Sequence, residues 1–565
     1  MVTPERIKRC AVSHDGAEGL AKAFAESLIP NIKITPSKDS DIQKAFSVLL
    51  NRFLPYQNAF GRFIGRSGFY QSSGAYGFRD QLQDCLCLMY SSANMVKAHI
   101  FRCCSRQFPE GDVLHWWHEC DKSSQNGIVC KGVRTLCSDD YLWLPFVVSE
   151  FFKYSGDREF LMTRIHFAKG EELSGSDVYL REKYMDIYKS EESDTVYGHC
   201  IRAVDRAVSR LGRYGLPLIG SCDWCDGYST VGNFSDGESV WLAMFLCMVL
   251  EGFSAICKKM SDTDLCERFE KARLSLISAI EEHGYSEKDG QYIRAYFADG
   301  DILGSMDSEE CKTDLLPQCF APMALKLPNE RIYSLAKNSF ERLFDRDVAI
   351  YKLFAPPFEN SKQKPGYIKG YVPGIRENGG QYTHAAVWGA MGLCISADIL
   401  YRNGEYAKAS EVRSMAKKAI RALNPVLRHM GYLGKSAKVA YRAEPYWLAG
   451  DIYSNEDHKG RAGWTMYTGS ASWYYLLLLK NVFGVNLYDT CTENPKLDIV
   501  CDVPFADSDI CVGATLTVIQ GDCRYNLEFS EGDLPSLSLD GENVLGRIRM
   551  EKGEHSIKVV RPRGM

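Results

Sequence analysis

The chain has 565 residues, 45% hydrophobic and 25% charged, with a formal net charge of −5 at pH 7. This is ordinary globular composition, with enough length for a large domain plus a smaller one. It excludes a basic nucleic-acid-binding surface, and no unbroken run of apolar residues is long enough to suggest a membrane span. The 21 cysteines follow no regular framework. An odd count in a long chain that opens on MVTPERIKRCAVSHDG, without an apolar leader, predicts reduced thiols in a cytoplasm.

Residues 1–40 read as an N-terminal tail and linker. GAEGLAKAFAESLIP predicts one short helix stopped by Pro30, and NIKITPSKDSD is rich in turn formers. Residues 41–488 are mostly helical, with roughly ten to twelve segments carrying apolar residues at helical spacing. Paired helices with polar, Gly-rich loops between them suggest a helical barrel. Periodicity alone does not separate that from an α-solenoid, although no fixed repeat is visible. Residues 489–565 alternate apolar and polar residues between Gly, Asp and Asn turns, which predicts a small C-terminal β-sandwich of roughly five to seven strands.

Several loops within the helical part are dense in polar groups. In GAYGFRDQLQD, Arg79 and Asp80 stand at a helix start, where a capping pair accounts for them as well as a ligand does. In GDVLHWWHEC, His115 and His118 suggest metal ligands, but H-x-x-H without a carboxylate at helical spacing is poor zinc chemistry. Arg134 in KGVRTLCSDDYLWLP offers a planar fork to a hydroxyl pair or a phosphate. Asp139 and Asp140 precede an apolar run, so one of them is expected to cap the helix.

The stretch GSCDWCDGYSTVG, residues 220–232, lies between two apolar elements. Asp223 and Asp226 bracket Trp224, an indole able to stack on a pyranose beside an acid able to protonate a glycosidic oxygen. Cys222 and Cys225 form a lone C-x-x-C with no second pair at zinc spacing, and it reads as incidental. Further on, GYVPGIRENGGQYTHAAVWGA sets Tyr371, Arg376 and Glu377 ahead of His384 at a helix start, a place that favours an anion. GRAGWTMYTGSASWYYL places Thr468 and Gly469 before another apolar helix. This is an anion cradle without the Walker pattern, or an ordinary cap.

Taken together, NRFLPYQ, GAYGFRDQLQD, GVRTLCSDDYLWLP, GLPLIGSCDWCDG, GESVWLA, PGIRENGGQYTHAA, EPYWLAGDIYS and GRAGWTMYTGSASW resemble the phosphorylases of glycoside hydrolase family 94. HWWH, GVRT and SDD are closest in style to 1,2-β-oligoglucan phosphorylases and the phosphorylase domain of cyclic β-1,2-glucan synthases. The resemblance implies a mainly α fold, an (α/α)6 barrel followed by the small C-terminal β-sandwich. It also implies inverting phosphorolysis of β-linked gluco-oligosaccharides to α-glucose 1-phosphate, with inorganic phosphate as co-substrate and neither metal nor other cofactor. By the same resemblance Asp226 is the general acid. Arg134, Asp139, Asp140 and Trp224 line the donor-sugar subsite. Tyr371, Arg376 and Glu377 lie near the acceptor or the scissile oxygen, and His384, Thr468 and Gly469 bind phosphate.

This chain departs from the family in three ways, one of them a loop between His118 and Gly132 (ECDKSSQNGIVCK) that is longer than usual and lacks the family's Pro-containing sequence. The family usually reads GDWNDG where CDWCDG stands here. Members also usually carry a large N-terminal β-sandwich, and this sequence starts near the linker helix. That leaves open a homodimer, a separate β-sandwich subunit, another β-disaccharide phosphorylase, or a subunit that binds glucan without turning it over.

Overall fold

In the computed structural model the described residues are 26–64, 74–120, 127–173, 182–233, 236–465 and 469–564, with 19, 22 and 23. Six helices form a closed inner ring: α1 (Phe78–Leu88), α2 (Trp143–Ser155), α3 (Val240–Met260), α4 (Leu315–Ala324), α5 (Thr383–Arg402) and α6 (Ser470–Leu476). Each packs on the next, and α6 returns to α1. Six outer partners pack one to each: Ala93–Cys104 on α1, Val196–Val208 on α2, Thr263–Ala279 on α3, Asn329–Leu343 on α4, Tyr406–Ala422 on α5 and Leu54–Asn58 on α6. This is an α/α barrel.

Composition sorts the two rings. The outer helices are amphipathic, as in NERIYSLAKNSFERL, where Ile332, Leu335, Ala336, Phe340 and Leu343 face inward. The inner helices are apolar on nearly every side, because the axis and the outer ring cover both faces. Two of them, Val240–Met260 and Thr383–Arg402, are long and apolar enough to cross a membrane, yet 78% and 83% of their most apolar 18-residue stretches are buried inside the fold. Trp143, Trp241, Trp388 and Trp473 crowd the axis; Trp143 and Trp388 stack at 6.3 Å, and Trp473 meets Trp388 edge-on at 5.5 Å.

The expectations for the flanks change. Most of the predicted first helix lies outside the described residues, but Ile32–Thr35 is a strand rather than linker. It pairs antiparallel with Thr515–Val518, and alternate residues Ile32 and Ile34 are buried. Period-two burial within a turn-rich context is what the linker reading missed. The strand becomes the edge of a six-stranded sheet otherwise built from the C-terminal region. A three-stranded sheet of Val485–Tyr488, Lys496–Ile499 and Ile548–Arg549 stands apart from it. The C-terminal β region is therefore not self-contained, and it begins before residue 489.

A second difference lies inside the helical part. Tyr76–Gly77, Leu114–Glu119, Ile128–Thr135, Glu182–Thr195 and Arg164–Lys169 form a five-stranded sheet, in that order. HWWH is thus strand, where positions i and i+3 face opposite sides. His115 turns to Asp140 and His118 to Tyr184, so they share no metal.

Candidate active site

All six inner helices begin at one end of the barrel, and the polar loops gather there. The organising turn is 220–226. Gly220 has φ +64, and a Cβ there would lie 2.1 Å from the Leu136 carbonyl oxygen, so no side chain fits. This close approach sets 220–222 against 136–138: Cys137 bridges to Gly220, and Ser138 N donates to Cys222 O at 2.9 Å.

Asp223 is fully buried and structural. It accepts from Arg294 Nη2 and Nη1 at 2.6 and 2.7 Å, from Ser239 Oγ at 2.7 Å and from Cys225 N at 3.1 Å. Ser239 is itself the N-cap of α3, so one carboxylate ties the turn to a helix start. Asp226, three residues on, has a side chain 40% exposed. Trp224 between them is buried, edge-on to Tyr382 and His384 at 5.5 and 5.3 Å.

Arg79, second residue of α1, is the hub. Nη2 donates to Asp226 Oδ1, and Nη1 to Asp139 Oδ1 at 2.8 Å and to Asp223 O at 3.1 Å. Burial opposes its charge, but Asp139 and Asp226 outweigh that and hold its pKa well above the ordinary value. Asp139 also accepts from Trp143 Nε1 at 2.9 Å, and burial pushes it up to about 6 despite Arg79. Asp140 Oδ2 pairs with His115 Nδ1 at 2.7 Å. Burial opposes the His115 charge too, yet Asp140 keeps its pKa well above the usual histidine range. Neither aspartate caps: Asp139 occupies the N-cap position of the short 3-10 turn 140–142 without a side-chain cap bond, because both carboxylates are turned toward the pocket cations instead.

On a second side stand Tyr371, Arg376 and Glu377. Arg376 has φ +54, its N donates to Asp451 Oδ2 at 2.9 Å, and its guanidinium lies 3.5 Å from the Trp464 ring centroid and 4.8 Å from that of Tyr371. The Glu377 carboxyl is pushed up to about 7 by burial, with Asp226 and Asp451 adding to the effect against Arg376.

On a third side, His384 is the second residue of α5 and packs on Trp388 at 4.4 Å. Burial, then Arg62, drives its pKa well below the usual value, so the ring is neutral. Gly469, N-cap of α6, has φ +121, and a Cβ there would meet His384 Nδ1 at 3.2 Å and both terminal nitrogens of Arg62 at 3.7 Å. Arg62 is held by Asp84 at 3.0 Å and Asp80 at 2.9 Å. Thr468 lies outside the described residues.

The structure therefore brings Asp139, Asp140, Trp224, Asp226, Tyr371, Arg376, Glu377, His384 and Gly469 to one end of the barrel. Arg134 is elsewhere engaged: it donates to Asp112 at 2.7 and 2.9 Å, to Glu110 at 3.2 Å and to Glu171 O at 3.0 Å. Sequence reasoning left Arg79 open between a capping pair and a ligand, and passed over Arg62, Asp84 and the pairing of His115 with Asp140; the RDQLQD signal was visible, but its partners were not. Among the described residues, Asp140 Oδ1, Arg376 Nε, Glu377 Oε2 and His384 Nε2 are buried without a hydrogen-bond partner. Asp140 Oδ1 and Arg79 Nε stand 3.7 Å apart, and Arg376 Nε and Glu377 Oε2 3.8 Å apart, at ion-pair rather than hydrogen-bond distance, so this barrel end keeps hydrogen-bonding capacity for a polar ligand.

The family model of the Glycosyl hydrolase 94 superfamily, catalytic domain, matches residues 33–484. The chain is 37% identical over 480 residues to the cyclic beta-(1,2)-glucan synthase NdvB of Rhizobium meliloti, covering 84% of this chain and 16% of that protein. It is 24% identical over 482 residues to N,N'-diacetylchitobiose phosphorylase of Vibrio furnissii, covering 80% and 53%. It is 23% identical over 481 residues to solabiose phosphorylase of Paenibacillus borealis, covering 84% and 54%. The chain thus spans about half the length of these two phosphorylases and a far smaller part of NdvB. With the match running through every ring helix up to α6, the chain belongs to the glycosyl hydrolase 94 superfamily, whose catalytic domain it carries.

Proposed function

We propose that the chain catalyses inverting phosphorolysis of short β-linked gluco-oligosaccharides, yielding α-glucose 1-phosphate and a shortened sugar. A phosphate oxygen attacks the anomeric carbon, the glycosidic C–O bond breaks, and Asp226 gives its proton to the departing oxygen. An inverting hydrolase needs a second carboxylate to activate water; a phosphorylase needs an anion seat instead, because phosphate arrives already charged. The reading is carried by a candidate anion seat: His384 Nε2, buried without a hydrogen-bond partner, the Gly469 N-cap, where a Cβ would meet His384 Nδ1 at 3.2 Å, and the Arg62 guanidinium held by Asp80 and Asp84, with the partly exposed Asp226 as the acid. The α5 and α6 N-termini converge on it.

The donor sugar would lie against Trp224, Asp139 and Asp140, and the acceptor against Tyr371, Arg376 and Glu377. A β-1,2 linkage is favoured by the similarity to a protein named for β-(1,2)-glucan synthesis. A cytoplasmic setting fits the free thiols found at every cysteine among the described residues. No cofactor beyond phosphate enters this scheme.

The test is incubation of the purified protein with phosphate and a panel of β-linked gluco-oligosaccharides, assayed for glucose 1-phosphate. Product from one linkage supports the reading and names the substrate. A second reading rests on Glu377, a further carboxyl electrostatically coupled to Asp226, which an inverting hydrolase could use; phosphate-independent glucose release would establish it. Glucan binding by the folded protein without turnover, or turnover only with an added β-sandwich subunit, would overturn independent catalysis.

A further inference from the structure

Beside Asp226 stand two thiols that phosphorolysis does not use. Cys137 Sγ, Cys222 Sγ and an Asp226 carboxylate oxygen all lie within 4.8 Å of one another. Cys222 Sγ is 3.7 Å from Asp226 Oδ1. The two thiols come from segments 85 residues apart, yet their placement is fixed. Cys137 bridges to Gly220, and both the Ser138 amide and its hydroxyl donate to Cys222 O, at 2.9 and 3.1 Å. Cys222, not Cys225, is therefore the partner of another cysteine, and the C-x-x-C spacing is irrelevant to it. A second trio, Cys137 with His115 and Asp140, shares the same sulfur. There the imidazole and carboxylate already satisfy each other at 2.7 Å; in the first trio Arg79 engages Asp226 Oδ1, so a metal would take the second carboxylate oxygen.

The geometry points to a capture site for a thiophilic divalent cation such as Zn2+, held by Cys137 Sγ, Cys222 Sγ and Asp226, with water completing the tetrahedron. Ligand bonds of about 2.3 Å to sulfur and ~2.0 Å to oxygen require only a modest contraction of this cluster. Binding balances as one Zn2+ taken up and two thiol protons released to solvent. Two thiolates and a carboxylate leave the site with one net negative charge. The Arg79 guanidinium, 3.6 Å from Cys137 Sγ and bonded to Asp226, stands where it offsets that charge. The half-exposed Asp226 side chain provides the entry path. The occupant blocks the pocket, since an Asp226 oxygen bound to metal is not free to protonate a leaving group; this inhibitory half rests on the proposed role of Asp226, whereas the binding half does not.

The test separates the two halves. Metal-free protein titrated with Co2+ should develop thiolate-to-cobalt charge-transfer absorption in the near ultraviolet, saturating at one equivalent. Cys222→Gly and Cys222→Ser, each confirmed folded by circular dichroism, should lose that band or need ~100-fold more metal, at least the cost of losing an outer-shell partner. Replacing the exposed Cys491 by Ser should leave the band intact. In the glucose 1-phosphate assay, Zn2+ should inhibit the wild type, chelator should restore it, and Cys222→Gly should resist ~100-fold more Zn2+. Absence of the band, a band unchanged in both Cys222 variants, or a Cys137–Cys222 disulfide in protein kept under reducing conditions overturns the site. Equal Zn2+ sensitivity in wild type and Cys222→Gly overturns the inhibition. If no sugar is turned over at all, the functional proposal has failed, and the cobalt titration alone still decides the metal site.

Discussion

Asp223 and Asp226 share one short turn and stand in opposite environments. Asp223 is taken up by Arg294, Ser239 and a backbone amide, while the Asp226 side chain is 40% exposed and meets Arg79. Asp226→Asn should therefore lower kcat by about 10^2–10^4-fold, the range general acid catalysis supplies, and leave the thermal midpoint where it was; a variant with full turnover would remove Asp226 from the chemistry. Glu377 yields a pH prediction. Burial holds its carboxyl protonated to about 7 in the folded chain, whereas an unfolded glutamate releases its proton near ~4.3. The folded state thus binds the extra proton between those values. The stability this contributes is complete below the unfolded value and is lost as pH rises through about 7. Thermal unfolding followed from pH 4 to 8 should show that loss flattened in Glu377→Gln, and an unchanged slope would refute the shift. The Asp–Trp–x–Asp pattern was legible because its chemistry is local. The Arg79 hub was not: its partners Asp139 and Asp226 lie 60 and 147 positions away, and an arginine at a helix start looks in one dimension like a cap.

At the scale of elements, function is concentrated where inner helices start. Ser239 caps α3 through Leu242 N at 3.0 Å, and Asp314 caps α4 through Leu316 N at 2.9 Å. Each cap carboxylate or hydroxyl also grips Arg294 or its neighbour Asp223. Helix termination and the gathering of these polar residues are one operation here, which is why apolar runs preceded by polar turns pointed from sequence to the loops that meet at this barrel end. The five-stranded sheet was missed for an equally physical reason. Along Ile128–Thr135 the last four residues are all buried, so a strand covered on both faces loses the alternation that identifies it. Arg134 belongs to that strand. With its guanidinium inside a cage of Asp112, Glu110 and Glu171 O, Arg134→Ala leaves the buried Asp112 carboxylate only the longer 3.9 Å contact to Arg206. The cost should be about 3–5 kcal/mol of stability, read by denaturant unfolding. A variant of wild-type stability with a raised KM would instead return Arg134 to a sugar subsite.

At the scale of the molecule, the two ends of the chain are closed against each other. The strand Ile32–Thr35 completes the sheet edge at Thr515–Val518. It is held from the barrel side by Asn51, whose Oδ1 accepts from Ile34 N at 2.7 Å and whose Nδ2 donates to Ile34 O at 2.8 Å. The following helix, Asp41–Val48, packs on Ser508–Cys511, and Gln43 Nε2 donates to Val512 O at 2.7 Å. One short strand therefore joins the ring of helices to the C-terminal sheet, and the linker reading hid that role because four residues give little periodicity. Its weight can be predicted. Ile32 and Ile34 are 1% and 3% exposed, and each fully buried isoleucine contributes about 1.5–3 kcal/mol. Removing residues 1–36 should cost about 3–6 kcal/mol from these side chains alone. It also strips the hydrogen-bonding partner from Thr515–Val518, leaving an open apolar edge that favours association between copies. A lower thermal midpoint together with light scattering that rises with protein concentration is the expected result. Ile34→Ala gives the milder control at about 2–5 kcal/mol, with the edge still paired and scattering still low. If the truncated chain melts with the wild type and stays monodisperse, the strand is an ornament and the two ends are closed by the barrel contacts instead.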